Sequence, residues 1–333
     1  MDPTPLTTLA GGVVIAVLAA SAALWLWIGK RWLRGQALLD DEPRRRVPWS
    51  GWQLLAIFLA YLLLHFGFSR VAQDWARSGP NRPAASSVVP PEQRTKPHVA
   101  DGAKAEAGDE PAASHRPLTI PEMKAALLAN AMVNVLFGLA VVAVLCFGRA
   151  GASWADLGLP LTRLAYDIRA GVIGFFVAVV PVQLLNTLLS AFWPGEHPIV
   201  TFLSKTTEVS GVLIATGAAV AVAPLIEELL FRVVLQGWLE SNEPHADAAQ
   251  FMPDGRAPIA WRPIILSSAI FALLHFGHGP APIPLFLLAL VLGFLYQRTH
   301  RIWASVTLHF LFNLSSLLAL WVTLSSKGHG LAP

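Results

Sequence analysis

Long runs of apolar residues recur along this chain, each closed by a short polar or basic cluster. Eight runs stand out, at about 7–29, 52–70, 124–148, 170–193, 209–238, 263–277, 282–297 and 302–325. A membrane-crossing helix needs about 20 mostly apolar residues. In lipid only helices and closed barrels satisfy every backbone polar group, and these runs are too long and continuous for barrel strands. The pattern therefore predicts an all-α fold, a polytopic transmembrane helix bundle with about eight spans. The sixth and seventh runs are short or broken by Pro282 and Pro284, so their boundaries are the loosest and one of them suits a re-entrant segment.

Composition agrees. Of 333 residues, 54% are hydrophobic and 14% charged, against about a quarter charged in a soluble domain. Mean hydropathy is +0.54. The net charge of +3 is small, and the basic residues flank apolar runs rather than forming one patch, which excludes a nucleic-acid partner. The single cysteine, Cys146, rules out an intrachain disulfide and a cysteine-based zinc cluster. The first run has Lys30, Arg31 and Arg34 after it rather than basic residues before it. That marks a retained span, not a cleaved signal.

Short loops rich in Lys and Arg face the cytoplasm. Lys30, Arg31, Arg34, Arg44, Arg45 and Arg46 set that side, and alternation adds Arg149, Arg163, Arg256, Arg262, Arg298 and Arg301. Both termini then face outward. High Ala, Leu, Arg and Trp usage suggests a bacterial inner membrane. Residues 1–71 read as two N-terminal helices with a basic cytoplasmic loop. Residues 72–118, rich in Pro, Ala and mixed charge, read as a disordered linker that cannot bury a core. Residues 119–164 supply the third helix and a loop, and 165–325 form a core. No internal repeat is visible. The sequon at Asn313-Leu314-Ser315 lies in an apolar helix and is dismissed.

Ionisable groups inside a span are costly and mark function. Three clusters occur, all late in the chain. In Glu227-Glu228-Leu229-Leu230-Phe231-Arg232, spacing of four lets Glu228 and Arg232 share a helix face and pair. Glu227 lies about 100° away and is left as a candidate base; a frayed helix end is the plainer reading. In Phe271-Ala272-Leu273-Leu274-His275, Phe271 and His275 face one way, and histidine suits proton transfer near neutral pH. In His309-Phe310-Leu311-Phe312-Asn313, the His and Asn stack on one face and offer donors to an oxyanion, or simply a helix–helix hydrogen bond. His278 reads as an interfacial histidine and His300 as a solvated one in a basic loop.

Together these clusters resemble the CAAX prenyl protease and bacteriocin-processing (CPBP) family, also called the Abi or type II CAAX protease family, whose motifs are Glu-Glu-x-x-x-Arg, Phe-x-x-x-His and His-x-x-x-Asn. The stretches Leu292 to Thr299 and Ile302 to Ser305 look like the family's lead into its last motif. The resemblance covers about 165–320. Val233 stands where members often have glycine. The resemblance implies an intramembrane endopeptidase acting on membrane-associated peptide or protein substrates, lipidated ones among them. It implies that Glu227 and His275 activate water, that His309 and Asn313 stabilise the oxyanion, and that Glu228 and Arg232 shape the site, with Glu228 sometimes counted as catalytic and Phe271 structural.

The family is often labelled metalloprotease, and Glu227, His275 and His309 are the possible zinc ligands. No His-Glu-x-x-His occurs, so direct Glu/His activation of water, with no required cofactor, is the expectation. No Gly-x-Ser-x-Gly is present, and Tyr166-Asp167 is followed by no Gly-x-Gly-Asp. The alternative is a non-catalytic membrane protein: a transporter, immunity protein or scaffold.

Overall fold

The computed structural model describes residues 5–40, 42, 46–78, 119–195, 198–206, 208–243, 258–277 and 279–326. The described residues are helical and contain no strand. The helices are α1 (Pro5–Leu33), α2 (Gly51–Ser78), α3 (Ile120–Phe147), α4 (Leu164–Ser190), α5 (Pro198–Lys205), α6 (Val209–Ser241), α7 (Trp261–Leu273), α8 (Pro282–Thr299) and α9 (Ile302–Ser326). Seven of them are long and apolar enough to cross a membrane. The exception among the expected spans is the sixth: α7 is only 13 residues long. Its helix stops short because Gly277 (φ 104°) and Gly279 (φ 61°) take left-handed conformations, and prolines follow at 280, 282 and 284. α2 also runs on through Ser78, into the start of the expected linker. The rest of that linker, Arg44, Arg45, Arg256 and His278 lie outside the described residues.

Local chemistry sets several helix ends. Thr119 and Glu122 form a capping box at the start of α3, with Glu122 accepting from both the Thr119 backbone N–H and its hydroxyl at 2.8 Å. α8 ends at His300, which adopts a left-handed φ of 46°. That corner turns the chain directly into α9.

The bundle is inverted relative to a soluble protein. Leu9, Ile15 and Leu26 on α1, Leu59 and Leu63 on α2, and Leu136 and Leu139 on α3 are all exposed, as lipid-facing positions should be. Inside, α4, α8 and α9 pack closely. Gly171 makes this possible: a Cβ there would sit 2.6 Å from the Ala304 carbonyl. α6 contacts α3, α7, α8 and α9, and Ile226, Leu229, Leu230, Val233 and Val234 bury its apolar face. Its position makes α6 the natural carrier of a site.

One end of the bundle is strapped by charge. Arg301 binds the buried Asp167 through Nε (2.7 Å) and Nη2 (2.8 Å) and also touches Glu42 at 3.0 Å. Arg163 bonds Glu42 (2.7 Å) and Asp40 (3.1 Å). The α1–α2 loop is thereby tied to α4 and α9. Arg301 is thus a largely buried structural residue, not simply a loop cation. Burial alone would raise the Glu42 carboxyl, but the Arg301 and Arg163 guanidiniums outweigh it and hold it below the ordinary value of 4.5.

Because the folded value is lowered, Glu42 contributes stability above pH 4.5 and loses it as pH falls through the folded value. We expect Glu42→Gln to lower the melting temperature in detergent at pH 7 by an amount equivalent to less than about 1 kcal/mol, since the group is partly exposed. The gap from wild type should close on acidification. Melting curves across pH check this, and a gap that widens in acid would contradict it.

Candidate active site

The site is built on α6, where the helix departs from α geometry. Gly217–Val222 and Leu229–Gln236 are π-helical, with Ala223 N–H bonding Ala218 O and Gly237 N–H bonding Arg232 O. Such wide turns are frequent at functional sites. Between them, Ala223–Glu228 is a short α segment opened by Pro224.

Glu228 is fully buried, with Arg232 and His309 bonded to it and the Ser305 hydroxyl beside it. Arg232 Nε donates to its Oε2 at 3.1 Å, and the His309 Nδ1 lies 2.9 Å from its Oε1. A carboxylate held by a guanidinium accepts hydrogen bonds, so the proton belongs on His309 Nδ1. Arg232 is itself fully buried. Its Nη1 reaches Ser267 at 3.4 Å, and its guanidinium carbon lies 5.5 Å from the Phe271 ring centre. Its Nη2 has no hydrogen-bond partner among the described residues.

Glu227 differs from its neighbour. Its side chain is 19% exposed, and its Oε2 lies 3.6 Å from His309 Nε2. Among the described residues it makes no hydrogen bond, so its lone pairs are open. His309 is therefore held between two carboxylates: bonded to one and facing the other.

Phe271 packs edge-on against Phe231 (5.2 Å) and His309 (5.9 Å) and lies 4.9 Å from the His275 ring. His275 is not inside a span. It sits in the turn after α7, where its Nδ1 lies 2.9 Å from the Phe271 carbonyl. That bond puts the proton on Nδ1 and leaves Nε2 as an acceptor. The two imidazoles are thus linked through one phenyl ring, with no direct bond between His275 and Glu227.

Asn313 donates from Nδ2 to the Ala219 carbonyl at 2.9 Å. The cause lies in α6. In the π register that begins here, Ala219 O would be served by the N–H of residue 224, which is proline and has none. Asn313 supplies the missing donor and keeps one amide N–H in reserve.

No group of three His, Cys, Asp or Glu side chains among the described residues is placed to hold a metal ion. The residues named as possible zinc ligands, Glu227, His275 and His309, do not gather at ligating distance.

Other participants were not expected. Ser267, Gln236, Glu240, Gln297 and His300 form a buried hydrogen-bonded chain beyond Arg232. His300 is not solvated: its side chain is 12% exposed and lies 3.2 Å from Glu240. A signal was present in Glu228, Arg232, Gln236 and Glu240, which are polar residues at every fourth position.

Residues 209–315 match the family model described as type II CAAX prenyl endopeptidase Rce1-like. No curated protein and no solved structure matches the chain. The matched stretch holds all three polar clusters, and it is a domain of the CPBP/CAAX protease family within an integral membrane protein. At the family level this supports an intramembrane endopeptidase of CAAX-protease type.

Asn313→Leu should leave the Ala219 carbonyl without a donor and cost on the order of 1 kcal/mol. In a Pro224→Ala background, which restores an N–H, the same change should cost less. Unfolding of the four proteins in detergent measures both effects; equal costs in the two backgrounds would contradict the proline account.

Proposed function

We propose that the protein hydrolyses peptide bonds of membrane-associated substrates inside the bilayer, using Glu227 to activate water. The observation that carries this reading is His309 between two unlike carboxylates, Glu228 locked by Arg232 and Glu227 left open. Transport would also place acids and histidines in spans, but it requires no such division between neighbouring carboxylates.

Glu227 takes a proton from water as the oxygen attacks the scissile carbonyl. The oxyanion forms where His309 Nε2, when that ring carries both protons, and the reserve amide N–H of Asn313 can donate to it. The C–N bond then breaks. The leaving amine takes the proton from Glu227, with His275 as the second group able to pass it. Glu228 and Arg232 hold the His309 ring in place, as the third member of a nucleophile–base–carboxylate set does. Phe271 spaces the two imidazoles.

A zinc-based route fits the donors poorly. Three His, Cys, Asp or Glu side chains do not gather at ligating distance among the described residues. We assign water activation to Glu227 and His275 without a metal.

An apolar groove of about 310 Å³ opens beside this region, lined by Leu203, Val212, Thr216, Leu314, Leu317 and Trp321. Leu314 follows Asn313 directly. A hydrocarbon chain suits such a lining, which supports lipidated peptides among the substrates. The gathering of Arg149, Arg163 and Arg298 at the strapped end supports a cytoplasmic face there, in a bacterial inner membrane.

Glu227→Gln should lower peptide release from membranes by about 10²–10⁴-fold while the protein still folds. Comparing peptides shed by membranes carrying wild type or Glu227→Gln tests this, and equal release would overturn the assignment. Wild-type cleavage should also survive a tight chelator, with no stoichiometric metal in the purified protein. Chelator-sensitive cleavage restored by zinc would contradict the metal-free route.

A further inference from the structure

A buried carboxylate with no part in the reaction demands an explanation, because apolar side chains of similar size would avoid its desolvation. Glu240 is such a group. It is 3% exposed and stands at the far end of the four-residue ladder from Glu228. A straight α-helix drifts about 40° every four residues, which would carry Glu240 off the face of Glu228. The wider π turns of Leu229–Gln236 advance less per residue and offset that drift.

The ladder is bonded along its length. Ser267 sits between Arg232 Nη1 (3.4 Å) and Gln236 Oε1 (3.1 Å). Gln236 Nε2 donates to Glu240 Oε1 at 2.8 Å and to the Gly293 carbonyl at 2.8 Å. Gly293 is small for a reason: a Cβ there would sit 2.8 Å from Gln236 Oε1. Glu240 thus fixes Gln236, and through Ser267 it fixes Arg232 and Glu228.

Glu240 also reaches the other half of the site. Its Oε2 faces His300 Nε2 at 3.2 Å, at the left-handed corner that launches α9. α9 carries His309. Its Oε1 further accepts from Gln297 at 3.1 Å, and Gln297 holds both backbone groups of Ala260, just ahead of α7. Three helices that bring Glu228, His309 and Phe271 together therefore meet at one carboxylate.

We propose that Glu240 is a positioning residue for the site, which through Gln236, Ser267 and Arg232 on one side and His300 on the other sets how His309 meets Glu228. Its reach into catalysis rests on the hydrolysis proposed above; its structural reach does not.

The test uses the full chain labelled with [15N]histidine in micelles. His309 ring signals are identified by their loss in His309→Gln. Glu240→Ala should move those signals from their wild-type positions, and Glu240→Gln, which keeps an acceptor oxygen for Gln236 and Gln297, should return them. If Glu240→Ala cannot be purified folded, Glu240→Asp draws the carboxylate back by one methylene and should move the same signals. Unmoved His309 signals in a folded Ala or Asp variant would overturn the proposal, as would a Gln variant no closer to wild type than Ala. A kinetic arm uses a farnesylated peptide ending Cys-a-a-X. There Glu240→Ala should lower kcat by about 10²-fold with little change in KM. An equal fall through KM alone would count against positioning. Wild type that ignores the peptide would bear on the substrate reading, while the histidine signals still decide the role of Glu240.

Discussion

The ion pair between Glu228 and Arg232 is the constraint on which the site depends. Both side chains are fully buried within a span, where an uncompensated charge is expensive. Each is therefore obliged to find partners. Glu228 uses its second oxygen to take His309 from another helix, and Arg232 uses Nη1 to take Ser267 from a third. An interaction between neighbours on one helix thus becomes the point at which α6, α7 and α9 are registered. Glu227, one residue away and turned aside, is spared those duties. The adjacent acids divide into one that holds and one that can react.

The apolar scaffold serves the same end. Small residues let helices close in: Gly171 brings α4 against α9, and Gly138 admits Ile226 beside Glu227. The π turns of α6 and the proline between them reshape a helix that would otherwise satisfy its own backbone. One carbonyl, on Ala219, is freed and met by Asn313. A defect in one helix thereby binds the helix that carries His309.

Much of the architecture was legible because apolar length is a local property. Seven long apolar helices follow from runs that can be read directly, and the sixth expected span fell short where Gly277 and Gly279 turned the chain. Spacing of four similarly gave the Glu228–Arg232 contact. What sequence alone could not reveal was how groups far apart in the chain meet. Nothing in the sequence tells that the Asn313 amide would complete a carbonyl orphaned by Pro224, or that His275 would sit in a turn and touch the site only through Phe271. Glu240 drew no reading and His300 was read as solvated in a basic loop, because water is the default partner of a polar residue near a helix end. The polar ladder from Glu228 to Glu240 carried the information, but its meaning required the π turns that keep it on one face.

The most direct measurement is a double-mutant cycle across Glu228 and Arg232, read as unfolding free energy in detergent for wild type, Glu228→Leu, Arg232→Met and the double variant. Each single change strands a buried charge and should cost about 3–5 kcal/mol. The double variant removes both charges, so it should cost well under the sum of the singles, with a coupling of about 2 kcal/mol or more. Simple additivity of the two costs would contradict the account, because it would mean that the pair does not act as the unit around which the site is organised.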